Sequence, residues 1–143
     1  MGEIVMAQVY RMDLLQSALA NLCNALEGVR AAVIVSIEGF VVASYPPGGE
    51  SFSEDDTTSS SQVAAMAATL VALAERTLSR LGQGEIERML VEGRHGVMMV
   101  IPVSDNAAIA ILLAKGSKLG VALHTSQYAA QRIKHILEGT LVV

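Results

Sequence analysis

Tryptophan is absent from this chain, aromatic residues make up only 3% of it, and there is a single cysteine. Each shortage excludes something. One cysteine cannot close an intrachain disulfide, so no covalent framework stands in for a packed core. Scarce aromatics remove the stacking platforms on which single-stranded nucleic acids lie, and a net charge of −4 removes the basic face that a phosphate backbone requires. Long apolar runs are missing too: the longest, residues 97–103 and 107–114, fall far short of the roughly 20 residues that span a bilayer. The N-terminus has no basic stretch ahead of its apolar residues, and Met6 stands where a myristoylation signal carries Ser or Thr. The expectation is a cytoplasmic protein that does not insert into membranes.

What remains is abundant aliphatic material. Of the 143 residues 52% are hydrophobic and 17% charged, enough to bury one core in one domain, expected over residues 11–138 with tails at 1–10 and 139–143. With so few rings, that core must be built from Val, Ile, Leu, Ala and the 7 Met. Cys23, among Leu19, Leu22 and Leu26, reads as one of its small hydrophobes. Charge is uneven: residues 1–60 carry −6 and residues 61–143 carry +2, so an acidic partner would meet the second half.

The apolar periodicity sets the element order. Met12, Leu15, Leu19, Leu22 and Leu26 recur at helical spacing until Gly28 closes the series. Two β-branched runs, residues 31–37 and 40–45, flank the turn pair Glu38-Gly39 and read as a hairpin. Residues 46–61 hold Pro46-Pro47-Gly48-Gly49, the acids Glu54, Asp55 and Asp56, and a run of hydroxyl residues, which predicts a mobile solvated loop. It lacks the lysine and spacing of a phosphate-binding loop.

A second helix begins from one of the loop's last hydroxyl residues, runs to about Leu81 and stops at Gly82-Gln83-Gly84. At 100° per residue its predicted core stripe is Val63, Met66, Ala67, Leu70, Leu73, Ala74, Thr77 and Leu81. The opposite side carries Ala64, Ala65, Ala68 and Ala72, then Glu75, Arg76 and Ser79, so its first turns offer methyl groups where a solvated helix would offer charge. Such a side wants a close-packed partner. Residues 85–92, 95–102 and 107–114 then read as a three-stranded meander, with Pro102 at a strand end or edge and the last strand covered on both faces. A third helix over residues 119–138 places Ala122, Ala129, Ile133, Ile136 and Leu137 inward.

Catalytic constellations are missing from the pattern. His95, His124 and His135 form no pair at helical ligand spacing, and Cys23 has no companion ligand, so no metal or other cofactor is expected. There is no Gly-x-Ser-x-Gly, and the Ser and Thr cluster in the acidic loop away from any base. Arg94 and His95 at one turn, and Lys115 and Lys118 around Gly116 at another, could form a small basic patch, but read first as solvated turn positions. Arg30, although an arginine supplied in trans can stabilise a GTPase transition state, reads as a surface residue where a helix passes into a strand.

Several pieces, in this order and spacing, resemble the roadblock/LC7 family, which includes MglB-type bacterial regulators of small Ras-like GTPases. They are Leu26-Glu27-Gly28-Val29-Arg30-Ala31-Ala32-Val33, Glu38-Gly39-Phe40-Val41-Val42-Ala43-Ser44, Val63-Ala64-Ala65-Met66-Ala67-Ala68, Leu81-Gly82-Gln83-Gly84-Glu85 and Lys118-Leu119-Gly120-Val121. Glu38 stands where Asp is usual, and the 46–61 loop is longer than a compact member needs.

The resemblance implies an α+β, profilin-like fold of order α-β-β-α-β-β-β-α. Its five-stranded antiparallel sheet has the second helix on one face and the terminal helices on the other. It also implies homodimers or related heterodimers paired through the second helix and the neighbouring strand, with no cofactor, no small-molecule substrate and no catalysis of its own. The expected interface positions are Ala64, Ala65, Ala68, Ala72, Glu75, Arg76, Glu87 and Met89. The leading expectation is a homodimeric regulator or scaffold for a small Ras-like GTPase. A GTPase-independent assembly adaptor of the dynein light chain type stands second, and a ligand-sensing domain third.

Overall fold

The computed structural model describes residues 2–47 and 59–139, with side chains from Tyr10 onward. Most of the predicted 46–61 loop lies outside the described residues. The elements follow in the order α1 (Gly2–Ala25), β1 (Val29–Ser36), β2 (Val41–Tyr45), α2 (Ser60–Arg80), β3 (Met89–Glu92), β4 (Gly96–Ser104), β5 (Ala107–Ala114) and α3 (Leu119–Glu138). The strands form one antiparallel sheet in the order β2-β1-β5-β4-β3. Helix α1 starts at Gly2, earlier than the apolar periodicity indicated.

Strand alternation sorts the core into two layers of different grain. On the α1/α3 side lie Ile34, Met99, Ile109, Ile111 and Leu113 against Leu15, Leu19, Leu22, Ile133 and Ile136. On the α2 side lie Val33, Val35, Val100, Ala108 and Ala110 against Val63, Ala64 and Ala67. Strand β5 is thus covered on both faces, as its unbroken apolar run predicts, with branched side chains one way and methyls the other. Burying each large aliphatic chain contributes about 1.5–3 kcal/mol, so most of the stabilisation sits in the coarser layer. The finer layer lets α2 approach the sheet closely.

Local chemistry fixes the joints. Gly28 ends the first helical stretch at φ +84, and a Cβ there would collide with Ser117 Oγ. Its carbonyl accepts from Ala114 N at 2.7 Å, tying the start of β1 to the end of β5. Gly39 (φ +93) closes the β1–β2 turn, where the position of a Cβ lies 3.5 Å from Ala65 Cα, so the turn sits directly against α2. Ser59 caps α2: its Oγ accepts from Gln62 N, and Gln62 Oε1 accepts from Ser59 N.

Two strands depart from expectation. β3 starts at Met89 rather than Glu85, because Gly82 and Gly84, both at positive φ, swing the chain away from the sheet before it can pair. β4 runs on through Pro102 to Ser104. Since β3 pairs only with Val97–Val100, Pro102 still lies on an edge, on the part of β4 that β3 does not reach.

Candidate interface

The sheet faces α2 with a layer that is already filled, and this decides which residues of the helix turn inward. The buried set is Ser60, Val63, Ala64 and Ala67, with Ala68 and Val71 packed beside them. The helix is therefore rotated from the predicted stripe. Met66 and Leu73, expected in the core, are 51% and 58% exposed. Ala64, expected on the outer side, is 0% exposed beneath the helix and is not available to a partner through its side chain. The physical reason is volume: over Val33, Val35, Ala108 and Ala110 there is room for methyl groups and a valine but not for Met or Leu, so the bulkier residues point away.

Of the predicted positions, Ala65, Ala68, Ala72 and Arg76 come together. With Ile37, Glu38, Thr69 and Leu73 they line a shallow depression of about 510 Å³ between the outer side of α2 and the β1–β2 turn. Ala68 is half-buried there, and the other three are exposed. Glu75 lies on the adjoining flank, lining cavities beside the β4–β5 turn. Glu87 is exposed ahead of β3, 3.9 Å from Arg88, and Met89 is half-buried against the α2-side core, so neither joins this depression.

Sequence reasoning missed several residues. Beyond Met66 and Leu73, Leu81 is exposed at the end of α2, and Leu90 and Val91 are 43% and 44% exposed on the sheet's outermost strand. Ile37 and Phe40 flank the Glu38-Gly39 turn and are also exposed. Apolar residues at consecutive positions on a short terminal strand, and on both sides of a turn, were the available signal. The two threonines among them do not make this surface polar. Thr69 Oγ1 and Thr77 Oγ1 each donate to the carbonyl one turn back, Ala65 O and Leu73 O, at 2.8 Å, which satisfies their hydroxyls within the helix. Met66 and Leu73 on α2 and Val91 on β3 are thus exposed apolar residues on one face of the sheet, whereas Leu90, opposite Met99 of the α1/α3-side core, points to the other.

The other candidates are quieter. Arg30 is the extra residue of a β-bulge between the pairs Val29–Leu113 and Ala31–Leu112, its side chain exposed. Lys115 Nζ reaches Glu92 Oε1 at 3.0 Å, tying β3 to the β5–α3 turn. His95, His124 and His135 are exposed and apart, and no group of His, Cys, Asp or Glu among the described residues could hold a metal ion. Cys23 is buried, and burial pushes its thiol up to about 12, well above the range in which a thiol acts as a nucleophile. No helix among the described residues is long and apolar enough to cross a membrane.

One antiparallel sheet thus lies between α2 on one face and the α1/α3 pair on the other, with β3 at an open edge. The chain belongs to the Roadblock/LC7 domain family, whose pattern matches residues 15–113. An uncharacterized protein of Methanocaldococcus jannaschii is 31% identical over 111 residues, covering 78% of this chain and 90% of that protein. Among solved structures, an MglB in a tetrameric arrangement superposes with a TM-score of 0.78 at 18% identity, over 92% of this chain and 93% of that one. The gliding protein MglB of Thermus thermophilus gives 0.77 at 16% identity, over 90% and 92%. These likenesses confirm the expected fold.

Proposed function

We propose that this chain is a non-enzymatic homodimeric regulator of a small Ras-like GTPase, and that its working surface is α2 with β3. The observation that carries the reading is the pair of exposed apolar residues Met66 and Leu73 on α2, beside the small residues Ala65 and Ala72, with Val91 exposed on the same face of the sheet at its open edge. A second copy is the natural first occupant. β3 is a four-residue edge strand with open backbone groups, which a symmetric partner would pair while the two α2 helices meet beside it. The tetrameric arrangement of a structurally similar MglB supports self-association. The roadblock resemblance, with its MglB-type members, supports a GTPase as the further partner.

A dimer leaves the outer side of two adjacent α2 helices as a composite platform, and a regulator of this kind acts by ordering the GTPase's own loops rather than by bringing a catalytic group. The test is a pull-down from native extract with the immobilised full chain, run with a non-hydrolysable GTP analogue and with GDP. The proposal expects a small GTPase recovered preferentially in the GTP-like state. Recovery of the same non-GTPase partners under both conditions would favour the assembly-adaptor reading instead.

A further inference from the structure

The truncation of β3 leaves a second feature, on the flank of α2 away from Met66 and Leu73. Where residues 85–88 would have paired with the end of β4, the chain has swung out at Gly82 and Gly84 and left a cavity of about 760 Å³. It continues beneath α2 into a slot of about 60 Å³ walled by Val35, Val71 and Ala108, and the two share Glu75, Pro102, Ser104 and Asp105. The slot is apolar. The wider cavity is acidic: Glu75, Glu85 and Asp105 line it from the helix, the following loop and the β4–β5 turn, and all three are exposed. No lysine, arginine or histidine lines either cavity, and none of these carboxylates makes an ion pair among the described residues.

We infer that this groove binds an extended basic segment of a partner protein, which seats one aliphatic side chain in the Val35–Val71–Ala108 slot and sets flanking lysine or arginine against Glu75, Glu85 and Asp105. Charge complementarity selects the occupant. An anion or acidic peptide would be repelled by three carboxylates, whereas a neutral apolar segment would leave them without partners while excluding their water. Pro102 offers no N–H at the uncovered part of β4, so recognition here rests on side chains more than on strand addition. An aliphatic anchor in a walled slot with charged flanks is the usual division of labour at such sites, the slot giving affinity and the charges giving orientation and on-rate. The slot shares Ile37, Ala68 and Ala72 with the depression on the outer side of α2, whereas the acidic cavity shares no residue with it, so the oligomeric state is read alongside binding.

The probe is a fluorescein-labelled peptide, Lys-Arg-Leu-Arg-Lys, titrated by anisotropy with the full chain, while sedimentation velocity on the same samples reads the oligomeric state. Saturable binding is expected. It should weaken with salt, and by about tenfold in the Glu75→Gln/Glu85→Gln/Asp105→Asn variant, but stay unchanged in Glu27→Gln, which alters a carboxylate elsewhere. Replacing the probe's leucine with glutamine should weaken binding further. The inference is overturned if no saturable binding occurs, if an acidic probe of the same length binds equally, or if the triple variant binds like the parent. It is overturned too if probe binding dissociates the protein, which would make the groove a contact between copies.

Discussion

Ser126 is wholly buried on the inward side of α3, and its Oγ has no hydrogen-bond partner among the described residues. One turn away on either side are Ala122 and Ala130, both buried against the same core. An orphaned buried hydroxyl forfeits its hydration without compensation, so Ser126→Ala should stabilise the protein by about 1 kcal/mol, read as a higher urea midpoint at unchanged slope. A lower midpoint would mean that the hydroxyl has a partner. Cys23 gives the complementary case. Its folded thiol is raised from 9.0 to about 12 by burial, so the unfolded chain ionises first as pH rises. The stability this group contributes is whole below about 9 and should be lost progressively up to about 12. Near neutral pH a thiol reagent should label Cys23 only as fast as the protein opens, and labelling faster than unfolding would contradict its burial.

At the scale of elements, α2 shows what periodicity conveys and what it omits. Its limits, its hydroxyl cap and its glycine stop are local chemistry and were legible from residues 59–84. Its rotation was not. A helix carrying both Met66, Leu70 and Leu73 and Ala64, Ala67 and Ala68 has two plausible inner sides, and only the volume left by Val33, Val35, Ala108 and Ala110 chooses the small one. Ala64→Leu should therefore cost about 1–3 kcal/mol by overpacking, while the same change at exposed Ala72 should stay within about 0.5 kcal/mol. Equal effects in parallel denaturation curves would restore the predicted stripe. β5 was readable on both faces because an unbroken apolar run has one structural explanation. β3 was overextended because the effect of two glycines at positive φ on pairing does not appear in an apolar pattern.

For the whole molecule, the layered order and the family were both within reach of the chain's motifs, because roadblock pieces at fixed spacing carry the topology with them. The interaction surface was reached only in part. The methyl positions Ala65, Ala68 and Ala72 do meet at one depression, but the exposed bulk beside them, Met66 and Leu73, depends on helix rotation, and the exposure of Val91 on which strand ends the sheet. A stable pairing of two copies needs roughly 800 Å² covered on each, and helix and edge strand must share that demand. Ala72 lies within the proposed contact and is exposed in the single chain, so a long charged side chain there should break the contact and spare the fold. The most direct test is sedimentation equilibrium of the full chain beside its Ala72→Arg variant, with circular dichroism confirming that both are folded. The account predicts twice the chain mass of 15.0 kDa for the parent and the single-chain mass for the variant. A monomeric parent, or a variant that remains dimeric, would contradict it.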